Sequence, residues 1–248
     1  MIISCQRLES DALRASEKLK IKSEKYISQI NDTTNKQIMR SIDDYILEHI
    51  DEEGSLLATL NRDAHVKLLH PRMISGHLQG RLLKMFCRMM RPKRVLEIGT
   101  FTGYATLCIA EGIDDDALVY TVEKNDELQP FTVSYIEKSP YRDKIRMFWG
   151  SIEELFPSFD EVFDMVYIDA DKRDYNAYYD LVFPSLKSGA LILADNTLWS
   201  GKVVEEHHAP SDKQTQGILD FNERIKNDNR VEKVIIPIRD GLTMIRKK

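Results

Sequence analysis

The spacing of apolar residues changes near residue 94. Before that point, apolar residues recur every three to four positions, which is typical of amphipathic helices. Helices are predicted over 36–49, 56–69 and 74–90. Residues 9–30 follow the same period but are highly charged. We expect them to form either an arm that docks on a second subunit or a solvated helix.

Beyond residue 94, short apolar runs alternate with helical stretches. Strands are predicted over 95–99, 118–123, 145–149, 164–169 and 190–195. Helices are predicted over 104–111, 126–138, 175–186 and 216–226. Two further strands, 231–238 and 242–245, flank Asp240 and Gly241, a dipeptide typical of hairpin turns.

This alternation predicts the α/β class. We expect a doubly wound, mostly parallel sheet with helices on both faces and an antiparallel hairpin at its C-terminal end. The chain then divides into an N-terminal helical arm over 1–34 and one α/β domain over 35–248.

Composition and charge narrow the classes of function. Apolar residues make up 42% and charged residues 30%, which excludes collagen-like and disordered chains. The net charge of −5 argues against a broad surface that grips nucleic-acid phosphates, although a local basic patch stays open. Cys5, Cys87 and Cys108 lie far apart and form no zinc pattern. With no secretory leader or membrane-length apolar run, we expect a cytoplasmic protein.

The ends of the first two predicted strands indicate a cofactor site, because ligands of open parallel sheets bind beyond the carboxyl ends of the strands. Gly99 and Gly103 either make a tight turn or admit a ligand. Phe101 stands where a dinucleotide fold has its second glycine. Glu123 is either a solvated charge or the acceptor for two ribose hydroxyls. Together they favour a nucleoside cofactor without pyrophosphate, such as S-adenosylmethionine, with Glu97 helping to organise its amino-acid tail.

The fourth and fifth predicted strands end in oxygen-bearing side chains. Asp169 ends one, and Asp195 with Asn196 ends the other. Carboxylate and amide oxygens suit a hard cation, with Mg²⁺ preferred and Mn²⁺ or Ca²⁺ as alternatives. One of the aspartates could instead cap the following helix.

Lys172 follows Asp169 by three residues. Next to a cation its pKa would fall, which suits a general base. Alternatively, Lys172 is a surface residue paired with Asp171 or Asp174.

Aromatic residues near these strand ends could form a flat wall for an aromatic substrate. Trp199 and Tyr175 are the candidates, whereas Tyr178 and Tyr179 are expected in the core. The polar stretch 200–215 has the length of a lid or a mobile insertion.

Four segments of the chain resemble one protein family, the cation-dependent class I O-methyltransferases of the caffeoyl-CoA and catechol O-methyltransferase group. The segments are VLEIGTFTGY at 95–104, YIDADK at 167–172, ADNTLWSG at 194–201 and RMISGHLQG at 72–80. The terminal DGL at 240–242 also resembles the family's hairpin. The likeness extends from about residue 35 to the end of the chain.

The resemblance implies a Rossmann-like methyltransferase fold with a seven-stranded sheet, S-adenosylmethionine, a divalent cation and a homodimer. It assigns metal binding to Asp169, Asp195 and Asn196, and catalysis to Lys172 with Asp169. It assigns contacts with the cofactor to Met73, Glu97, Gly99, Thr100, Glu123, Ile152, Asp169 and Asp171. The sequence departs from the family at Thr100, where valine is common, and at Ala105, where a serine often meets the cofactor carboxylate.

These residues predict methyl transfer from S-adenosylmethionine to one hydroxyl of a catechol-like vicinal diol, a small phenolic substrate contacted by Trp199. Because the segment after Trp199 differs from the pattern of the plant acyl-CoA enzymes, we do not extend their CoA-ester substrate to this protein. The alternatives are a tRNA hydroxyuridine O-methyltransferase, favoured only by the basic stretch 14–25, a nicotinamide-dependent oxidoreductase and a non-catalytic binding module. We expect no membrane association.

Overall fold

The computed structural model describes residues 41–248. The predicted arm over 1–34 and the basic stretch 14–25 lie outside the described residues. The chain forms two compact units, 1–50 and 51–248. In the described part of the first unit, helix α1 (Ile42–Glu48) is capped by Ser41. The Ser41 hydroxyl accepts a hydrogen bond from the backbone N–H of Asp44 at 3.0 Å.

The second unit alternates helices and strands. Its helices are α2 (Ser55–Lys67), α3 (Gly76–Met90), α4 (Tyr104–Gly112), α5 (Gln129–Ile136), α6 (Ile152–Leu155), α7 (Tyr175–Val182) and α8 (Lys213–Asn227). Its strands are β1 (Arg94–Ile98), β2 (Leu118–Glu123), β3 (Ile145–Trp149), β4 (Met165–Ile168), β5 (Leu191–Asp195), β6 (Val231–Ile236) and β7 (Leu242–Lys247).

The seven strands form one sheet in the order β3-β2-β1-β4-β5-β7-β6. Strands β1 to β5 pair in parallel, and β7 runs antiparallel to both β5 and β6. The predicted doubly wound, mostly parallel sheet with a C-terminal hairpin is thereby confirmed. Successive strands add outwards from β1 on one side and from β4 on the other, so the chain switches direction between these two strands. Ligands of open α/β sheets bind at such a switch point.

Strand β4 shows how the sheet divides the core. Met165 and Tyr167 pack in the cluster formed with α2, α3, α4 and α5, whereas Val166 and Ile168 pack in the cluster formed with α7 and α8. All four side chains are buried, because successive side chains of a strand point to opposite faces and helices cover both faces here.

Several helix boundaries differ from the prediction because local capping overrides the apolar period. The helix expected over 126–138 is a 3₁₀ turn, Asp126–Leu128, followed by α5, which has Pro130 in its first turn. The helix expected from residue 216 begins at Lys213, because the Asp212 carboxylate accepts a hydrogen bond from the backbone N–H of Thr215 at 3.1 Å.

Several short helical segments occupy stretches for which no helix was predicted. Among them are α6, which follows β3, and 3₁₀ turns within Trp199–Val204, kinked at Ser200 and Gly201, which occupy the start of the predicted loop 200–215. The loop is therefore shorter than its sequence indicates.

The two described cysteines are buried and unpaired. Cys87 and Cys108 are free thiols, and burial raises the pKa of each to about 12. Thiols with such a pKa remain protonated at neutral pH and are poor nucleophiles.

Candidate active site

A cavity of about 1370 Å³ lies at the carboxyl ends of the parallel strands. The ends of β1, β2, β4 and β5 line one side of it, and the segment 67–75 between α2 and α3 lines another. Ordinary small-molecule pockets measure about 300–1,000 Å³. The cavity therefore has room for two reactants side by side.

Most residues singled out in the sequence line this cavity: Met73, Gly99, Glu123, Ile152, Asp169, Asp171, Lys172, Asp195, Asn196 and Trp199. Two others do not. Thr100 lines a smaller adjoining space of about 10 Å³. Glu97 lines neither space.

Gly99 allows the ends of β1 and β4 to approach each other closely. Its φ is +98°, and a Cβ atom there would lie 2.1 Å from the carbonyl oxygen of Asp169. Any other residue at this position would be strained and would collide with backbone. Gly99 therefore sets the tight turn considered from the sequence, and the same turn lines the cavity.

Backbone donors hold the Glu123 carboxylate in place at the end of β2. One oxygen accepts a hydrogen bond from the N–H of Phe101 at 2.7 Å, and the other accepts one from the N–H of Asn125 at 2.9 Å. The side chain is half-buried, so Glu123 is an oriented carboxylate rather than a solvated charge. Each oxygen keeps a lone pair with which to accept a further hydrogen bond.

Glu97 lies in the interior behind the glycine turn. It is fully buried, and one of its oxygens accepts hydrogen bonds from the hydroxyls of Thr106 and Thr121. The other oxygen is buried and has no hydrogen-bond partner among the described residues. Burial, reinforced by the charges of Asp169 and Glu123, raises the pKa of Glu97 to about 8 despite the threonine hydrogen bonds.

Lys172 is buried and paired with Asp169. Its ammonium group donates to the Asp169 carboxylate at 2.8 Å and to the Tyr175 hydroxyl at 2.9 Å. Burial lowers the pKa of Lys172, but attraction to Asp169 and the two hydrogen bonds outweigh it, and the net shift is upwards. A bound cation was expected to lower the pKa of Lys172, whereas the surrounding protein groups by themselves raise it. The surface pairing of Lys172 with Asp171 or Asp174 does not occur.

Asp169 and Asp171, which follow β4, make different contacts. The Asp171 carboxylate caps the 3₁₀ turn Lys172–Asp174 by accepting the N–H of Arg173 at 3.0 Å, and it also pairs with the Arg173 guanidinium. These hydrogen bonds lower the pKa of Asp171. Asp169 does not provide this cap; it lines the cavity and pairs with Lys172.

Asp195 sits in a hydrogen-bonded network at the end of β5. Its Oδ2 accepts from the Gln79 amide and, at 2.9 Å, from the Tyr167 hydroxyl. Its Oδ1 accepts from the backbone N–H of Asn196 at 2.7 Å. Burial and the nearby charge of Asp169 raise the pKa of Asp195 to about 6. The roles of Gln79 and Tyr167 were not predicted from the sequence, because their partner Asp195 is far away in the chain and no local pattern links them.

The aromatic residues divide between the cavity and the core. The Trp199 indole is half-buried, lines the cavity and donates to the Thr215 hydroxyl at 3.0 Å. Tyr178 and Tyr179 are buried, as predicted, although Tyr178 also reaches the cavity. Tyr175 is fully buried and absent from the cavity lining, so it holds Lys172 and does not form a substrate wall.

Comparison with known proteins identifies the class of enzyme. Residues 47–248 match the sequence profile of a family described as O-methyltransferase. The chain belongs to the O-methyltransferase family. Methyl transfer therefore replaces the oxidoreductase and the non-catalytic module considered from the sequence.

Similar proteins include plant enzymes. Caffeoyl-CoA O-methyltransferase 1 of Eucalyptus globulus is 33% identical over 181 residues, which cover 68% of this O-methyltransferase and 72% of the relative. Caffeoyl-CoA O-methyltransferase of Populus kitakamiensis is 33% identical over 178 residues, which cover 68% of this chain and 76% of the relative.

Solved structures share the fold. The O-methyltransferase TomG of Streptomyces achromogenes, in complex with SAM, is 25% identical with a TM-score of 0.76 over 84% of this chain and 96% of its own. An O-methyltransferase of Bacillus cereus, in complex with SAH, is 26% identical with a TM-score of 0.75 over 84% of this chain and 97% of its own.

Within 41–248, no helix combines the length and the apolar character needed to cross a membrane. The same residues contain no group of three His, Cys, Asp or Glu side chains placed to hold a metal ion.

Proposed function

We propose that this O-methyltransferase moves a methyl group from S-adenosylmethionine to one hydroxyl of a catechol-like vicinal diol, with a divalent cation bound beside the acceptor. The observation that carries the proposal is the cluster at one end of the cavity: Asp169, Lys172, Asp195 and Asn196. Oxygen ligands and a buried amine are the groups that chelation and deprotonation of a diol require.

The remainder of the cavity supports the choice of methyl donor. Glu123 presents a fixed carboxylate suited to accept hydrogen bonds from two ribose hydroxyls. Gly99, which has no side chain, lets a ligand approach the backbone in the same cavity. Ile152, Met73 and Tyr178 add apolar surface around the same space. TomG and the Bacillus cereus enzyme, which share the fold, were solved with SAM and SAH respectively.

The residues at the other end fit a hard cation. Asp195 is almost completely buried near Asp169, and two carboxylates in such surroundings repel each other. A bound divalent cation offsets this repulsion. The Asn196 side-chain amide makes no hydrogen bond within the described part of the chain and would add a neutral oxygen ligand. Asp169, Asp195 and Asn196 would hold the cation, which favours the ionised form of an acceptor hydroxyl.

Lys172 is the residue to which we assign removal of the proton from the reacting hydroxyl. Its ammonium is stabilised mainly by Asp169, at 2.8 Å. When the Asp169 charge is neutralised, burial becomes the dominant influence and favours the neutral amine. Lys172 can then accept the hydroxyl proton while the acceptor oxygen forms its bond to the methyl carbon and the carbon–sulfur bond breaks. Positioning of the two reactants supplies much of the acceleration.

The proposal is tested by measuring methyl transfer to catechols with added Mg²⁺ and after EDTA treatment. We expect activity to disappear with EDTA and to return when Mg²⁺ is restored. A phenol with one hydroxyl is the matched control and should be a poor acceptor. Full activity after chelation, with trace metal verified absent, would refute the role of the cation, and equal rates with both acceptors would refute the preference for a diol.

A further inference from the structure

Two buried side chains from separate elements hold Asp195. Gln79 lies in the first turn of α3, and Tyr167 lies in β4. The Gln79 amide nitrogen is 2.8 Å from the Tyr167 hydroxyl and 2.5 Å from Asp195 Oδ2, and the hydroxyl is 2.9 Å from the same Oδ2. The three side chains thus form a closed triangle of hydrogen bonds.

The direction of each hydrogen bond follows from the chemistry of the groups. A carboxylate only accepts, so Gln79 must turn its amide nitrogen, not its oxygen, towards Asp195. That nitrogen carries two hydrogens, and both are used, one for each partner. The Tyr167 hydroxyl accepts from Gln79 and donates its own hydrogen to Asp195. No donor in the triangle is left over.

The triangle determines the orientation of the carboxylate. Two donors bind Oδ2, and the backbone N–H of Asn196 binds Oδ1 at 2.7 Å, so rotation of the carboxylate would break several hydrogen bonds at once. Gln79 is 1% exposed, Tyr167 0% and Asp195 3%. Water therefore cannot replace a lost donor at low cost.

Gln79 also links this carboxylate to the segment that precedes α3. Residues 71–75 line the cavity immediately before α3 begins, and Gln79 follows them within one turn of that helix. A displacement of this segment would therefore move Gln79 and disturb its hydrogen bond to Asp195.

We propose that Gln79 and Tyr167 are positioning residues that fix the Asp195 carboxylate in the orientation needed to bind the divalent cation. The inference rests on the proposed function, because it assigns a role to the surroundings of a candidate metal ligand. Residues that orient metal ligands typically change metal affinity by about 10–100-fold when they are replaced.

The test compares the Mn²⁺ affinity of the full-length protein with that of Tyr167→Phe and Gln79→Leu, by titration calorimetry. We expect both variants to bind Mn²⁺ about 10–100-fold more weakly. The affinity for S-adenosylhomocysteine, measured without metal, should stay within about twofold, since neither side chain lines the large cavity.

Tyr179→Phe is the matched control. Tyr179 is also a fully buried tyrosine whose hydroxyl donates to a carboxylate, that of Asp228 at 3.0 Å, but it lies away from the cavity. Its loss should lower stability without changing Mn²⁺ affinity. A purely structural role of Tyr167 would make the two phenylalanine variants alike.

The outcomes separate the inference from the proposed function. Wild-type affinity for Mn²⁺ in Tyr167→Phe and Gln79→Leu would overturn the inference alone. Failure of the wild-type protein to bind Mn²⁺ would overturn the proposed cation dependence, and the inference with it. If Gln79→Leu does not fold, Tyr167→Phe, which keeps the ring and removes one oxygen, decides the question.

Discussion

At the scale of single residues, the charge of Lys172 depends on Asp169. The two form a pair at 2.8 Å, and Lys172 is 7% exposed, so each group strongly affects the protonation of the other. A lysine elsewhere on the surface, such as Lys187, has a solvated ammonium that pairs with Asp164. Burial distinguishes the candidate base from Lys187.

Replacing Lys172 by methionine should remove catalysis while leaving the cavity intact. We expect kcat to fall by about 10²–10⁴-fold, because that is the usual contribution of a general base. The affinity for S-adenosylhomocysteine should be unchanged. Lys187→Met is the control and should retain wild-type turnover. Steady-state rates and calorimetry measure both quantities, and a Lys172→Met enzyme with normal kcat would rule out the base.

Glu97 makes the stability of the protein depend on pH. Its pKa of about 8 in the folded state lies above the ordinary 4.5, so folding retains a proton that the unfolded chain releases. Its contribution to stability is therefore fully present below about pH 4.5 and is lost as pH rises towards 8.

Glu97→Gln cannot titrate and isolates this effect. Between pH 5 and 8, we expect the free energy of unfolding of the wild type, relative to Glu97→Gln, to fall by more than about 1 kcal/mol, since one pKa unit corresponds to about 1.4 kcal/mol. Urea unfolding at several pH values measures the difference. Parallel pH profiles for the two proteins would mean that Glu97 is ionised in the folded state.

At the scale of elements, glycines permit the close contacts that shape the cavity. Gly54 and Gly99 both have positive φ, but only Gly99 has backbone within reach of an added Cβ, at 2.1 Å. Gly54→Ala should therefore cost only backbone strain, about 1–3 kcal/mol. Gly99→Ala should cost more than about 3 kcal/mol, because the Asp169 backbone must also move. Denaturant unfolding measures the loss of stability in each variant. Equal losses in Gly54→Ala and Gly99→Ala would contradict the prediction.

Helix α8 packs against the backbone of the candidate base. A Cβ at Gly217 would lie 2.4 Å from the carbonyl oxygen of Lys172. Alanine favours a helix over glycine by about 1 kcal/mol, so propensity alone predicts that Gly217→Ala stabilises the protein. We expect the opposite, together with a lower kcat, because the Lys172 backbone is displaced. Glu223→Ala, on an exposed position of α8, is the control for kinetic and unfolding measurements. A Gly217→Ala variant that is fully active and more stable would contradict this prediction, because it would show that α8 and the Lys172 backbone can move apart at no cost.

The apolar period predicted the buried strands well and the helix ends less well. Strand β4 is buried at all four positions, a pattern that only a sheet covered on both faces produces. Helix ends depend on single capping groups such as Asp212, and one hydrogen bond moves the boundary by three residues. Such caps compete locally with the period and are easily overlooked.

At the scale of the whole molecule, a bound cofactor should stabilise the second unit. S-adenosylhomocysteine at 100 times its Kd should raise the free energy of unfolding by about 2.7 kcal/mol. NADH at the same concentration should have little effect, because the glycine turn has Phe101 where a dinucleotide fold has glycine. Thermal unfolding with each ligand tests this. Stabilisation by NADH and not by S-adenosylhomocysteine would contradict the proposed donor.

The dimer and the tRNA acceptor remain predictions. The dimer is predicted from the family resemblance together with the N-terminal arm, and the tRNA acceptor from the arm alone. The arm lies outside residues 41–248. Sedimentation of the full chain tests the first, and salt-sensitive retention on tRNA tests the second.

Patterns along the chain were enough to predict the class of fold, the order of its elements and the polar residues at the strand ends. These follow from local periodicity and from the rule that parallel strands present their carboxyl ends at one edge. The contact of Gln79 with Asp195, 116 positions away, and the close approach of Gly217 to the backbone of Lys172 become visible only in the folded chain. Such contacts depend on how helices pack onto the finished sheet, and no local pattern encodes that packing.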